Sequence, residues 1–248
     1  IYMNDHASYE ATTSSRLAGA SVTGFDLYNA DVIIRNESAT AINNTNLSNA
    51  DDGDNDIKYN VTGGNLSIDS GFKLLVRASA NFTPAGNVTV TSANTEIDGT
   101  LNLNANTLNI NTSGNLTVDN TLTITTGTVN CIGSLTNNGT INLDSTGLMN
   151  IDGDLVNSAT GIIDSTSAAS NIYVMGIWTN SGTFTCGNSA VTFDAVSTGK
   201  TITDGGSNWY NVTFNGTGGG WSFADSTIIT NDLVVTAGTL SGIQNITV

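Results

Sequence analysis

Three stretches of this 248-residue chain repeat one phrase. They are Gly133-Ser134-Leu135-Thr136-Asn137-Asn138-Gly139-Thr140-Ile141, then Gly153-Asp154-Leu155-Val156-Asn157 leading to Gly161-Ile162-Ile163, and Gly176-Ile177-Trp178-Thr179-Asn180-Ser181-Gly182-Thr183-Phe184. Their leading glycines stand 20 and 23 positions apart. A period of that size matches one coil of a solenoid and is too short for a propeller blade or a helical pair.

Within the coils, apolar and polar residues alternate, as in Leu101-Asn102-Leu103, Leu108-Asn109-Ile110, Leu116-Thr117-Val118 and Leu122-Thr123-Ile124. Period-two alternation places Leu, Ile and Val on one face of a strand and Asn and Thr on the other. Thr favours strands, Asn, Gly and Ser favour tight turns, and helix-favouring Glu, Gln and Lys are few. The expected fold is all-β: a parallel β-helix, or β-solenoid, with about 20–23 residues per coil over residues 63–248. At ~21 residues per coil this makes eight or nine coils, a rod on the order of 40 Å long.

Residues 1–62 lack the repeat and read as a distinct N-terminal cap or attachment segment. A short helix is expected over Glu10–Ala20, a strand over Phe25–Arg35, and an acidic loop over Asn43–Asp56. At the other end, Thr239 to Val248 continues a strand pattern with no capping element, and an open solenoid end invites another chain to pair with it.

The formal net charge is −15, from six Lys and Arg against 21 Asp and Glu. Nucleic acid is not an expected partner, because binding its backbone requires clustered basic side chains. No run approaches the roughly 20 apolar residues of a membrane helix, so insertion by this segment is not expected either.

From about Gly114 onward the chain resembles the repeat regions of adhesin-like β-helix surface proteins of bacterial and archaeal envelopes. The units Leu135–Ile141 and Trp178–Phe184 carry the likeness, supported by Ala190–Phe193, Thr201–Thr203, Trp209–Phe214 and Asp232–Leu240. The resemblance implies an extracellular, cell-surface location and a structural or adhesive role. With the open end, it leads to the expectation of a homo-polymer: a fibre, sheath or surface layer. An adhesin module that binds carbohydrate or another cell is the alternative, and a polysaccharide hydrolase or lyase comes third.

Thirteen Asn-x-Ser/Thr sequons occur: Asn36, Asn43, Asn46, Asn60, Asn65, Asn81, Asn87, Asn111, Asn115, Asn138, Asn211, Asn215 and Asn245. An exported chain would carry N-linked glycans on such sites, with Asn36, Asn60, Asn65, Asn87, Asn115, Asn138 and Asn211 the chosen candidates. A strand built mostly of Asn and Thr also writes sequons by accident. Asp52, Asp54 and Asp56 have the alternate spacing of a Ca²⁺ loop, though Ile57 and Gly63 stand where an EF-hand needs Gly and Glu; the plain alternative is a solvated acidic loop.

Catalytic candidates are thin. Asp144 and Asp164, one coil apart, would stack if the coils were equal, and Asp152 and Asp154 lie near. Yet no Lys or Arg falls between Arg77 and Lys200, and the sole histidine is His6. No enzymatic activity is expected. Cys131 and Cys186, about two and a half coils apart, are placed inward and too distant for a disulfide. Most late aromatics are expected in the core, although an exposed stripe at Trp209 and Trp221 would favour the adhesin. Gly216–Gly220 reads as a turn.

Overall fold

The computed structural model describes residues 2–3, 10–16, 27–36, 40–51, 56–166, 169–242 and 244–248. It is a parallel β-solenoid of about ten turns and ~21 residues per coil. Each central coil contributes one strand to each of three parallel ladders. The coil containing Thr107–Ile110, Leu116–Val118 and Thr121–Ile124 is followed by one containing Thr128–Cys131, Leu135–Asn137 and Thr140–Leu143.

Like side chains stack on like. On the first face the inward column runs Leu66, Val88, Leu108, Val129, Met149, Ile172, Val191, Val212 and Leu233, a step of 19–23 residues per rung. All are buried except Leu233, which is half-buried. On the third face Phe82, Leu101, Leu122, Ile141, Ile163 and Phe184 form the matching column. Burying each such side chain contributes about 1.5–3 kcal/mol.

The second face changes character midway. Its inward column runs Ile34, Val76, Ile97 and Val118, then turns polar at Asn137, Asn157 and Asn180. These asparagines, expected on the outer surface, are buried. Asn137 Nδ2 donates to Asn157 Oδ1 at 2.8 Å, and Asn157 Nδ2 donates to Asn180 Oδ1 at 2.7 Å. Asn180 Nδ2 donates in turn to the Asp204 carbonyl at 2.8 Å. Side branches reach the carbonyls of Ile162 at 2.9 Å and Thr183 at 3.0 Å, in the adjoining third-face strands. Amides in the repeat phrase therefore tie one ladder to the next through the interior, where each unmet polar group would cost about 1–3 kcal/mol.

The leading glycine of the phrase has a steric cause. A Cβ on Gly153 would lie 2.6 Å from the Gly133 carbonyl, and one on Gly133 would lie 2.4 Å from the Gly114 oxygen. The backbones must approach this closely because Gly153 N–H donates to Gly133 O, and Gly133 N–H to Gly114 O, each at 3.0 Å. The glycines of Gly216–Gly220 have another purpose. They lie inside the long strand Trp209–Phe223 rather than in a separate turn. The Trp221 indole occupies the space that a Cβ on Gly219 or Gly238 would need, 2.4 and 2.6 Å away.

The N-terminal segment departs from expectation in two places. Ala11–Arg16 is a strand, not a helix, paired in parallel with Asp31–Asn36, which in turn pairs with Lys73–Val76. Its Thr-Thr-Ser-Ser run suits an extended backbone, and Thr12 Oγ1 accepts the Lys58 N–H at 3.1 Å. The expected acidic loop instead contains a helix, Asn44–Asp51. Asn43 and Asn46 cap it reciprocally, each side-chain oxygen accepting the other's backbone N–H at 3.0–3.1 Å. Leu47 is buried against the first coils, and Tyr59 Oη donates to its carbonyl at 3.1 Å while accepting from Ser14 Oγ at 2.9 Å.

Asn157→Ala should cost on the order of 3 kcal/mol, since it leaves one N–H of Asn137, Oδ1 of Asn180 and the Thr183 carbonyl without their partner in the interior. Urea unfolding monitored by circular dichroism would measure the loss. The outward Asn150→Ala, on a neighbouring strand of the same coil, should change stability by less than about 0.5 kcal/mol.

Candidate functional surfaces

Two surface features emerge: the sequon asparagines and a charged groove near the N-terminal end. The sequon side chains divide by what their amides do. Asn65 Oδ1 accepts the backbone N–H of Asn87 at 2.9 Å, and Asn87 Oδ1 accepts that of Thr107 at 2.9 Å. Asn115 belongs to a second such column, which starts at Asn94. Asn94 Oδ1 accepts from Asn115 N–H at 2.9 Å, and Asn115 Oδ1 from Ser134 N–H at 2.8 Å. Ser134 Oγ then accepts from Asp154 N–H at 3.0 Å, and Asp154 Oδ1 from Ile177 N–H at 2.8 Å. Each of these side chains closes a gap in the backbone ladder at a corner of the coil.

Of the other candidates, two are engaged through nitrogen and two through oxygen. Asn138 Nδ2 donates to Asp119 Oδ1 at 2.7 Å and Asn36 Nδ2 to the Thr40 carbonyl at 2.7 Å. Asn60 Oδ1 accepts from the Thr62 hydroxyl of its own sequon, and Asn211 Oδ1 accepts from Asn231 Nδ2 at 2.7 Å.

The proposed calcium ligands Asp52 and Asp54 lie outside the described residues; Asp56 is partly exposed. A different acidic group forms across two adjacent rungs. The carboxylates of Glu96, Asp98 and Asp119 lie within 4.8 Å of one another, two from alternate positions near one strand and the third from the next rung. Lys73 Nζ binds Glu96 at 2.7 Å and Asp31 at 3.4 Å, and Arg77 lies 3.8 Å from Asp98. With Tyr28, Asn29 and Leu75, all of these side chains except Asp119 line a shallow groove. Lys73 and Arg77 thus offset part of the charge of the four carboxylates.

Burial pushes the Asp98 carboxyl above its ordinary value; repulsion from Glu96 and Asp119 adds to this, while Arg77 and Lys73 oppose it. Asp31 is raised by burial as well, against the attraction of Lys73. Burial works against the Lys73 charge, but its contacts with Glu96 and Asp31 outweigh that and leave the ammonium above its ordinary value.

The facing-carboxylate arrangement considered for catalysis does not assemble. Asp164 stands on Asn142, not on Asp144, because the register pairs Thr140 with Ile162. Asp154 serves the corner column, and Asp152 is exposed. Trp178, Trp209 and Trp221 are buried in a run of ring contacts that includes Phe184, Phe193, Phe214 and Phe223. No aromatic stripe therefore forms at Trp209 and Trp221. Both cysteines are free thiols. Cys131 is buried, with its pKa pushed up to about 11 by burial, whereas Cys186 is half-buried.

On the last coil, the inward column Ile68, Val90, Ile110, Cys131, Ile151, Val174, Phe193, Phe214 ends at Val235, which is 49% exposed against 0–1% for its predecessors. Val234 beside it is 45% exposed. Comparison with protein-family models, curated proteins and solved structures finds no match.

Because the folded state holds protons on Asp98 and Asp31 more tightly than the unfolded chain does, these groups favour folding as pH falls. The gain starts as pH drops through their raised values and is complete below the ordinary 3.8. Asp98→Asn should therefore raise the thermal midpoint at pH 7 and narrow the difference between pH 7 and pH 4. Differential scanning calorimetry at the two pH values would check both.

Proposed function

We propose that this chain is an extracellular structural protein of a cell surface, whose solenoids associate with copies of themselves in a fibre, sheath or surface layer. The observation that carries the reading is the regularity of the outer faces, where like polar side chains stand one rung apart, as in Asn109, Asn130 and Asn150 and in Thr100, Thr121 and Thr140. A repeating surface of this kind, with few charges, suits lateral packing of many copies.

The adhesive alternative draws on one feature, the groove lined by Tyr28, Asn29, Lys73, Arg77, Glu96 and Asp98. Its half-exposed tyrosine ring and interleaved donors and acceptors would suit sugar hydroxyls.

Negative-stain electron microscopy of the purified chain should show ordered polymers. Discrete monomers at all concentrations would refute self-assembly.

A further inference from the structure

We propose that Asn65, Asn87 and Asn115 carry N-linked glycans, while Asn36 and Asn138 remain bare. This rests on the extracellular reading, which supplies the glycosylation machinery. The three asparagines share one placement. Each stands at the start of a strand segment, is exposed, and is followed by a fully buried residue, Leu66, Val88 or Leu116. Because strand side chains alternate, the sequon hydroxyls of Ser67, Thr89 and Thr117 emerge on the same outer face as their asparagines.

The orientation of these amides is set by chemistry. A backbone N–H can be met only by an acceptor, so the N–H groups of Asn87, Thr107 and Ser134 fix Oδ1 toward the next coil. The nitrogen is left on the solvent side, where among the described residues it has no acceptor. Asn138 and Asn36 present the reverse arrangement, with Nδ2 already donated to Asp119 and to the Thr40 carbonyl.

In the transfer step an N–H bond of Nδ2 and the C1–O bond of a lipid-phosphate-linked oligosaccharide break. The Nδ2–C1 bond forms, and the proton leaves with the lipid phosphate. The product is still an amide with a free carbonyl oxygen, so a glycan at these positions leaves the coil-closing hydrogen bond in place.

The two roles of Asn115 can be separated. Thr117→Ala destroys the sequon and keeps the amide; Asn115→Ala removes both. In protein from an N-glycosylating secretory host, peptide mapping by mass spectrometry should find glycans on Asn65, Asn87 and Asn115 and none on Asn36 or Asn138. Thr117→Ala should lose one glycan mass. In unglycosylated protein from a host without the transferase, Asn115→Ala should lower the thermal midpoint more than Thr117→Ala does. A glycan on Asn36 or Asn138, or bare Asn65, Asn87 and Asn115 in secreted protein, would overturn the assignment. Polymer formation is read separately by microscopy, so a failure here leaves the structural proposal to its own test.

Discussion

The distance between hydrogen-bonded strands, ~4.8 Å, governs this molecule. A solenoid repeats that distance at every point of its circumference, so each residue has a fixed neighbour one rung below. Where two main chains must touch at that separation, no side chain fits between them, which is why Gly114, Gly133, Gly153 and Gly176 stand in line. Where a corner pulls the backbone out of register, a side-chain oxygen restores the missing acceptor, as at Asn94, Asn115, Ser134 and Asp154. The repeat phrase records that spacing.

The same constraint explains how much of the structure was legible in the sequence. Alternation in Leu108-Asn109-Ile110 and the spacing of Gly133, Gly153 and Gly176 led to the correct fold class, because both follow directly from the rung geometry. Alternation held at Asn137, Asn157 and Asn180, but the assumption that polar residues face outward failed there. Those amides occupy inward positions, and hydropathy alone sends them outward; the available signal was their recurrence two residues after an inward Leu or Trp. Rung steps in the repeat vary between 19 and 24 residues, so the stacking of Asp144 with Asp164 could not be had by counting. The Glu96, Asp98 and Asp119 group was hidden for a similar reason, since its members meet only across a rung.

Residues 10–51 were harder because they lack the periodicity. Thr12-Thr13-Ser14 has no apolar alternation to mark a strand, and it becomes one by pairing with the strongly apolar Asp31–Asn36. The helix Asn44–Asp51 has poor helix formers and a single buried apolar anchor, Leu47. Its reciprocal Asn43 and Asn46 caps were present in the sequence as Asn-x-x-Asn, but the surrounding Asn-rich composition masked them. Here tertiary contacts decide the local conformation, and propensity is overridden.

The core also changes along the axis, from Leu, Ile and Val in the central coils to large rings from Trp178 onward. Rings cannot stack on identical neighbours as tightly as aliphatic groups, and here they meet mostly edge-on or tilted, as between Trp178 and Phe184 at 5.2 Å and between Phe214 and Trp221 at 5.1 Å. Accommodating them requires space, and the backbone supplies it with Gly219 and Gly238 around the Trp221 ring. The indole nitrogens of Trp178 and Trp221 are buried without a protein partner, so ring volume rather than hydrogen bonding keeps these residues in place. The rings form a wide apolar floor beneath the last coil. Leu233, Val235 and Leu240 stack on Val212, Phe214 and Trp221 at that floor, so the register set by the ~4.8 Å rung persists where the core side chains change from aliphatic to aromatic.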